Sequence, residues 1–168
     1  NARGAVDAVA LFSERLVLVN GTPLTSAADL VALLEKNGWR RGYCDPALWP
    51  GLQAAFPATF TVETLFDRSR VDDYQFGITA AAGGIAETGT VILTDGGTSR
   101  RLAALAPWVH VAVLSRRTIF VDVPEAVAAL GSDPNIIWCT GPSKTADVEG
   151  ILIEGVHGPG IQVALLVD

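Results

Sequence analysis

The chain has 168 residues, of which 49% are apolar and 18% charged, with a net charge of -6. That balance is too apolar and too weakly charged for a disordered chain. The acidic sign argues against nucleic acid, whose phosphates demand clustered lysine and arginine.

The doublets Arg40-Arg41, Arg100-Arg101 and Arg116-Arg117 read as solvated surface. The length fits one domain over residues 1–168 with a full apolar core. No apolar run reaches the length of a membrane span, and no basic start precedes a signal-type stretch, so the expected location is cytoplasmic. Cys44 and Cys139 have neither metal-ligand spacing nor a disulfide framework, and read as buried, reduced thiols. The chain starts at Asn1 and holds no methionine, which points to a trimmed N-terminus and a missing upstream helix.

In chain order, Val6 to Leu11 reads as the tail of that helix, and Leu16-Val17-Leu18-Val19 as a buried strand closed by Asn20-Gly21. Ser26 caps a helix with apolar positions Leu30, Val31, Leu33 and Leu34, stopped by Asn37-Gly38. Tyr43 marks a second strand. Asp45-Pro46 opens a helix running through Leu52. Thr59 to Val62 is β-rich, a short polar helix follows around Leu65 to Arg70, and Asp73 to Ala82 alternates into the small-residue patch ending at Gly84.

Gly89 to Thr94 is a strand closed by the turn Asp95-Gly96-Gly97, and Trp108 to Leu114 and Thr118 to Val121 follow as strands. Pro124 begins a helix ending at Leu130, and Asn135 to Cys139 and Ile161 to Val167 supply the last strands. Strands alternating with helices predict an α/β fold, a mostly parallel sheet flanked by helices, with an antiparallel hairpin in the middle.

Two segments interrupt this apolar pattern with chemistry. TGPSKTADVEG, residues 140–150, follows the strand Ile136-Ile137-Trp138-Cys139 and brings together Gly141, Ser143, Lys144, Thr145, Asp147 and Glu149. A strand that empties into a small polar loop is where open α/β sheets place ligands. Lys144 and the loop N–H groups would hold a carboxylate or phosphate, although GxxxxGK[ST] is absent and this is no Walker loop. Asp147 and Glu149 read first as backbone caps.

The second segment, GITAAAGGIAETGT, sets Glu87, Thr88 and Gly89 in a tight turn between apolar strands. Glu87 is placed to act as base, nucleophile or ligand hook, or to satisfy turn N–H groups. His157, between glycine and proline, can reach a cleft as acid or base or stand exposed, whereas His110 alternates within an apolar strand and reads as a core or edge histidine. No CxxC, HExxH or GxGxxG indicates a metal, cluster or dinucleotide site.

GITAAAGGIAETGTVIL, TGPSKTADVEGILIEGVHGPG and the closing IQVALLVD together resemble the lactate utilization protein C family, whose domain is called the LUD domain. The likeness runs from about Leu16 to the end, with order and spacing kept. It implies the α/β fold shared by sugar-phosphate isomerases, coenzyme A transferases and formyltetrahydrofolate cyclo-ligase. It also implies work beside two companion proteins, at least one with iron–sulfur clusters, in oxidation of L-lactate to pyruvate.

This chain has no cysteine motif for a cluster, so the resemblance puts the redox centre in iron–sulfur partner subunits and no cofactor on this one. The motif positions that carry over are Glu87, Thr88, Gly89, Gly141, Ser143, Lys144, Thr145, Asp147, Glu149, His157 and Gly158. The expected site is a cleft for a small carboxylate, with Lys144 neutralising the anion and Glu87 or His157 handling a proton. The competing expectation is a stand-alone enzyme for a phosphorylated or coenzyme A-linked substrate, with Glu87 as nucleophile or base. A third assigns the motifs to assembly contacts alone.

Overall fold

The computed structural model describes residues 7–94, 101–131, 135–146 and 151–168. Asp147, Glu149 and the turn expected at Asp95-Gly96-Gly97 lie outside the described residues.

The chain opens with helix α1 (Ala8–Leu18), whose N-cap Asp7 accepts from the N–H groups of Val9 and Ala10. The apolar run at Leu16 is therefore the end of a helix, not the strand its composition suggested. Phe12 and Leu16, four residues apart, share one buried face, while Val17 and Leu18 turn outward, which is helical rather than β periodicity. Asn20, with φ 67°, breaks the helix, and β1 (Thr22–Leu24) follows. Helix α2 (Ala27–Lys36) has the expected Ser26 cap, accepting from Asp29 N–H, and ends at Asn37-Gly38. Next come β2 (Arg41–Cys44), α3 (Trp49–Leu52), β3 (Thr61–Glu63) and β4 (Phe76–Ala80). Asp45 Oδ1 accepts from Ala47 N–H, so the expected helix start is a turn, and regular helix begins only at Trp49.

The small-residue patch forms β5 (Gly83–Ile85), which turns at residues 86–89 into β6 (Thr90–Thr94). Helix α4 (Arg101–Leu105), β7 (Val109–Ser115), β8 (Ile119–Phe120), α5 (Val123–Leu130) and β9 (Ile136–Cys139) continue the chain. The hairpin β10 (Lys144–Ala146) and β11 (Leu152–Glu154) precedes the last strand, β12 (Ile161–Val167).

The central sheet is six-stranded in the order β1-β12-β7-β4-β2-β3, and every neighbouring pair is parallel. One face buries Val109, Val111, Val113, Val163 and Leu165 against Leu30 and Leu34 of α2 and Leu52 of α3. The opposite face buries Ala112, Leu114, Ala164 and Leu166 against Phe12 and Leu16 of α1 and against Val91 and Leu93 of β6. This is the expected mostly parallel sheet flanked by helices.

The antiparallel hairpin does not lie within that sheet. β5 and β6 belong to a second, four-stranded sheet, β8-β5-β6-β9, whose outer face packs Ile85 and Ile92 on Ala126 of α5. The molecule is thus layered as α2 and α3, central sheet, α1 with second sheet, and α5. Gly77 shows how tightly α4 is seated: a Cβ there would lie 1.9 Å from the Ala103 carbonyl oxygen.

Candidate functional site

A cleft of about 390 Å³ opens where the two sheets part, lined in part by Thr140, Ser143, Lys144, His157, His110 and Gln162. The loop after β9 does reach a cleft, but not at the carboxyl ends of parallel strands. β9 is antiparallel to β6 in the second sheet, and its end abuts the amino ends of β7 and β12. His110 and Gln162 are the second residues of those two strands and stand side by side in register.

The loop itself is fixed by backbone. Ser143 N–H donates to the Pro159 carbonyl at 2.9 Å, and Gly155 N–H donates to the Ser143 carbonyl at 2.8 Å. A Cβ on Gly158 would sit 3.2 Å from the Ser143 Cβ, so glycine lets the strap holding His157 lie against Ser143. Gly141, at φ 77°, presses on the end of α1.

Lys144 reaches the same place: Nζ donates to the Val19 carbonyl at 3.0 Å and lies 3.8 Å from Glu154 Oε1. Asn20 Nδ2 donates to Glu154 Oε1 at 2.8 Å. A lysine at the C-terminal carbonyls of a helix satisfies an orphan acceptor and the negative end of the dipole. Lys144 therefore ties the cleft loop to α1 while lining the cleft. Thr145 pairs with Ile153 in the hairpin and is not among the cleft-lining residues.

The segment around Glu87 reaches the cleft through its threonines. Thr88 Oγ1 and Thr90 Oγ1 lie 2.7 Å apart, and Thr90 Oγ1 and Thr140 Oγ1 also 2.7 Å apart, so three hydroxyls bridge the turn to the cleft rim. Gly89, at φ 65°, lets this turn sit on α1, where a Cβ would meet Leu16 N at 2.4 Å.

Glu87 points elsewhere and is not among the cleft-lining residues. Its Oε1 accepts from Val123 N–H at 2.9 Å, at the first turn of α5, where Asp122 Oδ1 also accepts from Glu125 N–H. A carboxylate at a helix N-terminus satisfies an orphan donor and the positive end of the dipole. Glu87→Ala is expected to cost about 0.5–1 kcal/mol, as loss of a helix-end cap does, read as a lower denaturation midpoint.

Sequence reasoning missed Gln162 and read His110 as a core or edge histidine with no part in the site. Both are 2% exposed, yet both line the cleft. His110 Nε2 lies 3.0 Å from Thr79 Oγ1 on β4, and burial pushes the imidazole down to about 4, so it is neutral at physiological pH. Gln162 Nε2 donates to the Cys139 carbonyl at 3.3 Å, while its Oε1 is buried with no partner among the described residues. The signal in the sequence was a glutamine opening an otherwise apolar strand, IQVALLV. Burial raises the Cys139 thiol to about 11 and, with Asp45 nearby, Cys44 to about 12, so both are protonated thiols at neutral pH. Among the described residues no helix is long and apolar enough to cross a membrane, and no group of three or more His, Cys, Asp or Glu is placed to hold a metal ion.

Comparison with known proteins adds three findings. A family model described as the LUD domain matches residues 54–167. A lactate utilization protein C of Deinococcus radiodurans is 38% identical over 89 residues, 49% of this chain and 41% of the relative. That of Bacillus licheniformis is 33% identical over 98 residues, 54% of this chain and 41% of the relative. The chain thus matches about two-fifths of the length of these curated relatives. The crystal structure of a DUF162 family protein from Deinococcus radiodurans superposes with a TM-score of 0.68 at 24% identity, covering 96% of this chain and 97% of that one, a likeness of fold.

Proposed function

The chain belongs to the LUD domain family, and on that premise we propose that it serves L-lactate utilization as a non-redox subunit whose cleft holds a small carboxylate. The relatives named lactate utilization protein C support the setting. The observation that carries the site is the cleft floor, where His110 and Gln162 bring buried polar groups to the ends of two otherwise apolar strand faces. Ser143, Lys144 and His157 line the same cleft and provide the polar groups suited to a carboxylate. At about 390 Å³ the space is at the lower end of the range for small-molecule sites.

Electron transfer belongs to partners in this reading. An iron–sulfur cluster takes four thiolate ligands as a rule, and this chain supplies two cysteines, the buried Cys44 of the central sheet and the half-buried Cys139 of the second sheet, which pack in different apolar clusters. The subunit's own part is to bind and orient the acid, with His157 available to hold or move a proton at its rim.

The test is growth on L-lactate as sole carbon source of a strain lacking the wild-type copy. Complementation with the wild type should restore growth, and Ser143→Ala with His157→Ala should slow it markedly. Affinity purification of the wild type from such cells should bring down a protein with iron–sulfur absorbance. Undiminished growth of the strain without any copy would sink the reading.

A further inference from the structure

Beyond the cleft's general suitability for a carboxylate, its floor has a defined polarity. On β7 the residues facing the second sheet are His110, Ala112 and Leu114; on β12 they are Gln162, Ala164 and Leu166. The first residue of each row is polar and the rest are sealed in the core, so the polar pair exists only where the cleft touches the sheet. The orientation of the Gln162 carboxamide is dictated by its partner. A backbone carbonyl only accepts, so the group facing the Cys139 oxygen must be the NH₂. That leaves Oε1 as a buried acceptor with no donor among the described residues. An acceptor left so is costly, and a donor delivered through the cleft removes the cost.

We propose that Gln162, backed by His110, is the specificity-determining residue of the cleft and selects an organic acid that carries a hydroxyl donor beside its carboxylate over the corresponding 2-oxo acid. The inference rests on the carboxylate reading of the cleft given above. A 2-hydroxy acid offers its O–H to Gln162 Oε1, whereas a 2-oxo acid presents a second acceptor to the same oxygen, and two acceptors face to face repel. His110 is fixed against Thr79 and supplies a neutral ring beside the carboxamide, so the discrimination is made by hydrogen-bond direction rather than by net charge.

The test is titration calorimetry of the chain with L-lactate and with pyruvate, in the wild type and in Gln162→Met, with circular dichroism as the check of folding. The wild type should bind L-lactate at least about tenfold more tightly than pyruvate, the scale of discrimination that an unmade buried hydrogen bond provides. In Gln162→Met the ratio should fall toward one, chiefly through weaker L-lactate binding. The wild-type ratio decides the selection itself, and where Gln162→Met does not fold, Gln162→Leu carries the test of the residue. Equal affinities in the wild type, or tighter pyruvate binding, overturn the selection and leave the carboxylate reading standing. A preference that survives unchanged in folded Gln162→Met overturns the assignment to Gln162. Failure of both acids to bind the wild type overturns the inference together with the carboxylate reading.

Discussion

Replacing Gly141 with alanine is expected to destabilise the protein by about 2–5 kcal/mol, the sum of a left-handed backbone penalty and an unrelieved overpacking cost. Gly141 has φ 77°, and a Cβ built on it would lie 2.1 Å from the Val19 carbonyl oxygen. Neither partner can yield cheaply. Val19 is the C-cap of α1, and its carbonyl is the acceptor of the Lys144 ammonium. Pushing the loop away therefore also breaks the contact that ties the cleft wall to the helix.

Gly38 provides the control. Its φ of 74° is nearly the same, but nothing lies within 4 Å of its virtual Cβ, so Gly38→Ala should lose only the backbone share, about 1–2 kcal/mol. Urea denaturation midpoints of the two variants separate the effects. Equal losses would mean that the approach of Gly141 to α1 contributes nothing. Against a total stability of about 5–15 kcal/mol, the larger loss brings the variant near its unfolding threshold.

The same contact explains why one half of the site was readable and the other was not. The loop at residues 140–146 and the strap at residues 157–158 stand out in the sequence because glycine, proline and hydroxyl residues interrupt apolar strands there. The structure places Ser143, Lys144, His157 and Gly158 around one cleft. Gly89 and Gly141 enter the expected anion site as motif positions carried over by the resemblance, and what approaches each is the backbone at the end of α1. Local pattern signals that something comes close, not what it is.

Glu87 was grouped with Lys144 because both sit in polar turns after apolar strands. The β5–β6 turn belongs to a second sheet whose outer layer is α5, and there the carboxylate meets Val123 N–H. Which side of a sheet a turn serves is decided by long-range pairing, and no local motif encodes it.

The elements show the same division. The helix after Ser26 and the strand at Ile161 were legible from caps and apolar runs. Leu16 to Val19 was misread because a continuous apolar run of four residues suits a buried strand or a helix end equally. β5 was passed over because Gly83-Gly84 lacks side chains that mark a strand, yet glycine there admits Phe12 and Leu114 to close packing. Gln162 escaped notice for a related reason. Its meaning comes from standing beside His110 on a neighbouring strand, a register that the sequence does not display.

Acid should weaken the fold through His110. Burial lowers this imidazole from 6.5 to about 4 in the folded protein, so the folded state resists a proton that the unfolded chain accepts. The stabilising difference is complete above the unfolded value near 6.5, is lost as pH falls toward 4, and stays lost below that, where both states are protonated. The full shift corresponds to about 3 kcal/mol, with about 2 kcal/mol gone by pH 5. Urea midpoints taken between about pH 7.5 and 5, set against those of a variant without the imidazole, isolate the effect. His110→Asn keeps a polar group near Thr79 and removes the titration, so its stability should be nearly flat over this interval. A wild-type profile as flat as that of the variant would show that the imidazole is reached by water in the folded state. It would also remove the neutral ring from the account of how the cleft floor tells a hydroxyl from a carbonyl.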